Sequence, residues 1–126
     1  MATSIAVKIF TLSVLLAITT ALTDDEIAQA ACAAIAPSGF VSAVRKPCNR
    51  KSPSCNTLCR DAACSMRKIY GNQGSTSGTC FQTFHIYGGR IPLKNSDMGK
   101  AHMAMHKYSN GCGSTYCGPN FCCCRA

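Results

Sequence analysis

The C-terminal run Cys117-Gly118-Pro119-Asn120-Phe121-Cys122-Cys123-Cys124-Arg125-Ala126 decides how this chain is built. Three cysteines stand in a row near its end, and a bond between immediate neighbours would strain disulfide geometry. They are therefore expected to pair outward to separate places and pin the C-terminus to the body. Earlier in the chain stand Cys32, Cys48, Cys55, Cys59, Cys64, Cys80, Cys112 and Cys117, which brings the total to 11. An odd total leaves at least one cysteine free or bridged to another chain. Cys32, the most isolated in sequence, is the first candidate for that role. Five bridges among eleven cysteines allow on the order of ten thousand pairings, so the connectivity stays open.

All the cysteines follow a hydrophobic leader. Lys8 is the only charge in it, Ile9 to Ile18 is apolar apart from Thr11 and Ser13, and Thr19-Thr20-Ala21 closes it with small residues. A basic start, a short apolar stretch and a small-residue end have the layout of a secretory signal peptide. The run falls short of the roughly 20 apolar residues a membrane span needs. Residues 1–21 are expected to be the leader, and residues 22–126 a single extracellular domain. In an oxidising compartment, cysteines at this density become crosslinks, which replace the core that few large aliphatic residues could not supply alone. Residues 22–126 contain no Asn-x-Ser/Thr sequon, so N-glycosylation is not expected.

Local patterns predict a small α+β domain with two short helices, a small antiparallel sheet and long loops. Asp24-Asp25-Glu26 opens an alanine-rich helix that Pro37-Ser38-Gly39 ends by about residue 36. Phe40 to Val44 reads as a short strand. Ser54 caps a second helix from Cys55 to about Lys68, with Cys55, Leu58, Cys59 and Ala62 on one face and Arg67 and Lys68 in the last turn. Gly71 to Gly78 is a flexible loop by composition. Thr79 to Tyr87 is the strongest strand, and Gly88-Gly89 ends it. Ala101 to Tyr108 fits a strand or a short helix equally well. From Asn110 onward the Gly/Cys-rich tail reads as irregular.

Charge is the strongest functional hint. The chain holds 13 Lys/Arg against 5 Asp/Glu, a net charge of +8. Three of the acids are Asp24, Asp25 and Glu26, so the rest is more basic still. Arg45, Lys46, Arg50, Lys51, Arg60, Arg67 and Lys68 fall in one segment opposed by Asp61 alone. Such a segment attracts anionic partners in a salt-sensitive way. For a secreted protein these are an anionic membrane or polysaccharide surface, bound peripherally, and not nucleic acid.

Other chemistry is sparsely represented. Cys55-x3-Cys59-x4-Cys64 and Cys112-x4-Cys117-x4-Cys122 approach zinc-ligand spacing, but a secretory leader favours disulfides over metal. His102 and His106, in His-Met-Ala-Met-His, share one face in either a helix or a strand. The zinc-protease pattern is absent there, and no metal or other cofactor is expected. His85 lies mid-strand and reads as a packing residue. No nucleophile elbow or phosphate loop occurs, and Asp61 and Asp97 are the only acids after residue 26, so no enzyme is expected. Arg90 and Ile91, in Gly88-Gly89-Arg90-Ile91-Pro92-Leu93, would suit a preorganised loop that enters a trypsin-like pocket.

The segments Ser52-Pro-Ser-Cys-Asn-Thr-Leu-Cys59, Cys80-Phe-Gln-Thr-Phe-His-Ile-Tyr87 and Cys117-Gly-Pro-Asn-Phe-Cys-Cys-Cys124 resemble secreted, cysteine-rich proteins of marine molluscs. The resemblance spans most of residues 22–126 and implies secretion and disulfides. That group has no established activity, so it transfers no functional residues. The expected function is a cationic binding protein of the defence or toxin kind that adsorbs to anionic surfaces. The alternatives are a matrix or mucus component, dimeric through the odd cysteine, and a serine protease inhibitor acting through Arg90.

Overall fold

The computed structural model describes residues 23–49, 51–88 and 105–126. Its first helix, α1 (Asp24–Ile35), begins at a reciprocal cap. The Thr23 hydroxyl accepts from the Glu26 amide at 3.2 Å, and Glu26 Oε1 accepts in return from the Thr23 hydroxyl and amide. This satisfies amides left free at a helix start, while the three acids of the first turn complement the dipole. Only Ala28 and Cys32 of α1 are fully buried, with Ile27 and Ala31 partly buried against the same core.

Ser54 caps the second helix, α2 (Cys55–Ile69), by accepting from the Thr57 amide at 3.3 Å. At its other end Gly71 takes φ +68°, a left-handed backbone that glycine adopts without strain, and the Asn72 amide returns to the Arg67 carbonyl at 2.6 Å. Cys55, Cys59, Ala63 and Met66 form the buried stripe of α2.

The strands are β1 (Val41–Arg45), β2 (Thr79–Ile86), β3 (Met105–Lys107) and β4 (Phe121–Arg125), antiparallel in the order β1-β4-β2-β3. Within the 101–108 segment, Met105–Lys107 is therefore a strand, paired to β2. The largest departure from expectation is the C-terminal tail. It is irregular only from Asn110 to Asn120, apart from a short 3-10 turn at Gly111–Gly113, and it ends in a central strand. β4 pairs on both sides, with β1 and with β2.

The strand explains the three adjacent cysteines. Neighbouring side chains alternate across a sheet, so Cys123 faces α1 and bonds Cys32, whereas Cys122 and Cys124 face α2 and bond Cys55 and Cys59. The spacings match physically. Four helical residues rise about 6.0 Å and two strand residues about 6.6 Å, so two bridges can form side by side without distorting either element. Two cores result. On one face Phe84, Ile86, Phe121 and Val41 pack with Ala28 around the Cys32–Cys123 bridge. On the other, Met66 packs with the Cys55–Cys122 and Cys59–Cys124 bridges. The protein is thus a small α+β, disulfide-rich domain, with one helix on each side of a four-stranded sheet among the described residues.

Two further bridges, Cys48–Cys117 and Cys80–Cys112, tie down the loops. Ten of the eleven cysteines are therefore bonded within the chain, which removes the zinc alternative for them. Cys32 is not the odd cysteine, because it pairs with Cys123. The free thiol is Cys64, exposed on α2. Helix phase explains the assignment: Cys59 and Ala63 share the buried stripe, and Cys64 lies a further 100° around. The leader residues 1–21 lie outside the described residues, and no described helix is long and apolar enough to cross a membrane.

Candidate functional site

The six described residues of the seven basic ones grouped by sequence do not form one surface. Arg45 lies on the α1 side of the sheet, over the Phe121 ring at 5.1 Å, with Nε 2.6 Å from Asp25 Oδ1. Both partners of that ion pair are more than half exposed, so it adds little to stability. Its effect is to cancel a charge that the sequence placed in the patch.

Lys46 departs further from expectation. It is 3 % exposed, and Nζ donates to Ser52 Oγ and to the Tyr116 carbonyl, both at 3.0 Å. Ser52 Oγ in turn donates to the Pro47 carbonyl. Burial holds the Lys46 pKa below its ordinary value. Lys46 is therefore an internal strut that joins the turn after β1 to the loop before β4, beside the Cys48–Cys117 bridge. It is not available to an external surface. Arg50 lies outside the described residues, as do Arg90 and Ile91 of the candidate inhibitory loop and His102. Lys51 is exposed on the same turn.

The residues that do come together lie on α2. Arg60, Cys64 and Lys68 follow one another at intervals of four along its outer side, with Arg67 at the edge of that row. Positions four apart on a helix are neighbours, so the charges form a ridge with the free thiol at its middle. Asp61 offsets it only weakly, with Oδ1 3.5 Å from Arg60 Nε and both side chains largely exposed. The ridge is stiff because the opposite side of α2 is bonded to β4 twice.

At the C-terminal end of the ridge, Cys64, Arg67, Lys68, Asn72 and Thr76 line a cleft of about 270 Å³. Arg67 holds its loop wall in place by donating from Nη2 to the Asn72 carbonyl at 3.0 Å, while its Nε is buried with no hydrogen-bond partner. A larger open groove of about 670 Å³ runs between α1 and β1, floored by Ala30, Ala33 and Ala43 and flanked by Asp25, Glu26 and Arg45. Its backbone edge is partly closed by Gln29, whose amide bonds the Val41 carbonyl at 3.0 Å and the Ala43 amide at 2.8 Å.

The histidines regroup as well. His85 and His106 are directly opposite each other across β2 and β3, a relation that sequence spacing does not reveal. His85 is half-buried, with Nδ1 2.8 Å from the Gly118 carbonyl, and its ring lies against Tyr87. Among the described residues, no group of three or more His, Cys, Asp or Glu is placed to hold a metal ion. The structure thus offers a basic helical ridge, a small cleft at its end and an alanine-floored groove, all on a frame fixed by five disulfides. When the chain is compared with known family models, characterised proteins and solved structures, none of the three comparisons finds a match.

Proposed function

We propose that the protein is a secreted cationic binding protein, of the defence or toxin kind, that adsorbs to anionic surfaces through the outer side of α2. One observation carries the reading: Arg60 and Lys68 are exposed, with Arg67 at their edge, on the outer side of a helix whose other side is bonded twice to the central strand. A helix held in this way loses little conformational freedom when it lands on a charged surface, so its attraction is not spent on ordering the binder. Each basic residue near an acidic membrane contributes about 1 kcal/mol.

Arg60→Gln/Arg67→Gln/Lys68→Gln is therefore expected to weaken binding to anionic vesicles and to sulfated polysaccharide on the order of 100-fold. It should also flatten the dependence of binding on salt. The check is a salt series on the oxidised protein against anionic and neutral vesicles and polysaccharide beads. Unchanged affinity in the triple variant would remove the ridge from the function.

Exposed Cys64 favours a second reading, a matrix or mucus component crosslinked into homodimers. Two copies of a basic ridge repel each other, so the crosslink should form faster at high salt, where that repulsion is screened. Non-reducing gels of the protein under oxidising conditions are expected to show a dimer band that Cys64→Ser abolishes. A chain that stays monomeric at every salt concentration would sink the matrix reading.

A further inference from the structure

Three of the chain's four tyrosines and two of its three histidines gather at one place that the basic ridge does not use. His85 and His106 sit side by side on β2 and β3. Tyr87 packs on His85 with ring centroids 4.4 Å apart, Tyr108 meets His106 edge-on at 4.7 Å, and Tyr116 meets Tyr108 edge-on at 6.3 Å. Gly118 lies among these rings. A Cβ there would run into the Tyr116 ring and come within 2.9 Å of the Tyr108 ring, and the Gly118 carbonyl holds His85. Tyr87 is 48 % and Tyr116 56 % exposed, and His106 is exposed.

Strand alternation puts this cluster on the α2 side of the sheet. Thr83 opposes Cys122, which bonds to α2, and His85 is two residues beyond Thr83 on the same strand. The rings and the basic ridge therefore share one side of the molecule. Lys46 braces this region from inside by donating from Nζ to the Tyr116 carbonyl, and Cys48–Cys117 ties the turn that carries exposed Lys51 to the residue after Tyr116. Of the acids among the described residues, Asp24, Asp25 and Glu26 belong to α1 on the opposite side, and Asp61 belongs to α2.

We infer that this cluster is a stacking platform for an acidic polysaccharide, so that the anionic surface is a glycan and not a lipid bilayer. The inference rests on the proposed adsorption through α2 and names its partner. Every ring carries a polar tip, which suits sugar hydroxyls. The flat faces of tyrosine and imidazole suit the C–H face of a pyranose ring. The rings are braced by one another, by Gly118 and by a disulfide, so they are preorganised for stacking on a flat partner. Sulfate or carboxylate groups farther along the same polymer would meet Lys51 and the α2 ridge.

The test uses the intact oxidised protein with two probes, heparin and phosphatidylserine vesicles, and the variant Tyr87→Ala/Tyr116→Ala. Both side chains are about half exposed, so their loss leaves the core whole. The variant is expected to bind heparin about tenfold more weakly, the scale of two lost ring contacts, and to bind vesicles as the parent does. Tyr87→Phe/Tyr116→Phe, which keeps the rings, should retain most heparin affinity. Unchanged heparin binding by the alanine variant, with salt-sensitive binding intact, would overturn the platform and leave adsorption through α2 standing. A loss on vesicles but not on heparin would make the partner a membrane and also overturn it. If the parent protein binds neither probe, the adsorption reading itself fails.

Discussion

Replacing Cys32 and Cys123 together by alanine is expected to lower the unfolding free energy by about 2–5 kcal/mol and to release α1 before the rest of the domain unfolds. The bridge spans 91 residues, the longest separation of the five. In the chain-entropy account, a loop of that length restricts the unfolded chain by about 4–5 kcal/mol. Domains of this size are stable by only about 5–15 kcal/mol in total, so one bridge is a large share. Its local consequence is larger than for the other four. Apart from the bridge, α1 buries only Ala28 completely, helped by half-buried Ile27 and Ala31, the Gln29 bonds to β1 and the exposed Arg45–Asp25 pair. By contrast α2 has two bridges to β4 and buries Met66 and Ala63 as well. Amide exchange across Asp24–Ile35 should therefore accelerate in Cys32→Ala/Cys123→Ala, while exchange in α2 and β4 changes much less. Uniform loss of protection over both helices would show that the domain opens as one unit and that α1 is not the weak part.

The same contrast explains what could be read from the sequence. Both helices were legible because their ends carry local chemistry: acids and a capping residue at the start, a proline–glycine or basic stop at the finish. β2 was legible because aromatic and β-branched residues concentrate in it. β4 was not. All three of its cysteines are buried, two on one face and one on the other, so no apolar–polar alternation is left to find, and the Gly/Pro-rich approach from Asn110 masks where the strand begins. The outward pairing of Cys122, Cys123 and Cys124 followed from geometry alone, but their partners depended on which face each occupies, hence on β4 being a strand.

The site was less legible. A run of basic residues close in sequence was expected to act together, yet β1 carries Arg45 to the α1 side and the turn after it takes Lys46 into the interior, while α2 keeps Arg60 and Lys68 outside with Arg67 at their edge. Helix phase was the available sign for Cys64, since it falls off the Cys55–Cys59 stripe. The pairing of His85 with His106 had no such sign, because it depends on strand register between segments far apart in the chain.

A single added methyl group at Gly78 is expected to do damage comparable to the loss of a bridge. Gly78 is buried just before β2 begins, where the chain crosses the back of α2. A Cβ there would run into the Cys59 carbonyl oxygen, lie 2.9 Å from the Cys59 carbonyl carbon and 3.4 Å from the Ala63 Cβ. Those carbonyl atoms belong to helix backbone, which cannot rotate away as a side chain can. The helix is also held there by Cys59–Cys124. One of the two must move, either α2 away from the sheet or the start of β2 away from β4. Overpacking of this kind costs about 1–3 kcal/mol and sometimes more. The cause is contact and not conformation, because Gly78, unlike Gly71 and Gly74, does not hold the left-handed backbone. Gly88 supplies the control: a Cβ there meets nothing within 4 Å, so Gly88→Ala should change stability by less than about 0.5 kcal/mol. Denaturant midpoints of the two oxidised variants decide the matter, and equal midpoints would show that α2 is free to shift. The functional consequence runs through the same helix. Arg60 is the next residue after Cys59, so a displaced α2 would move the basic ridge relative to the aromatic cluster. Gly78→Ala is therefore expected to weaken heparin binding more than vesicle binding, because only the polymer must reach both surfaces at once.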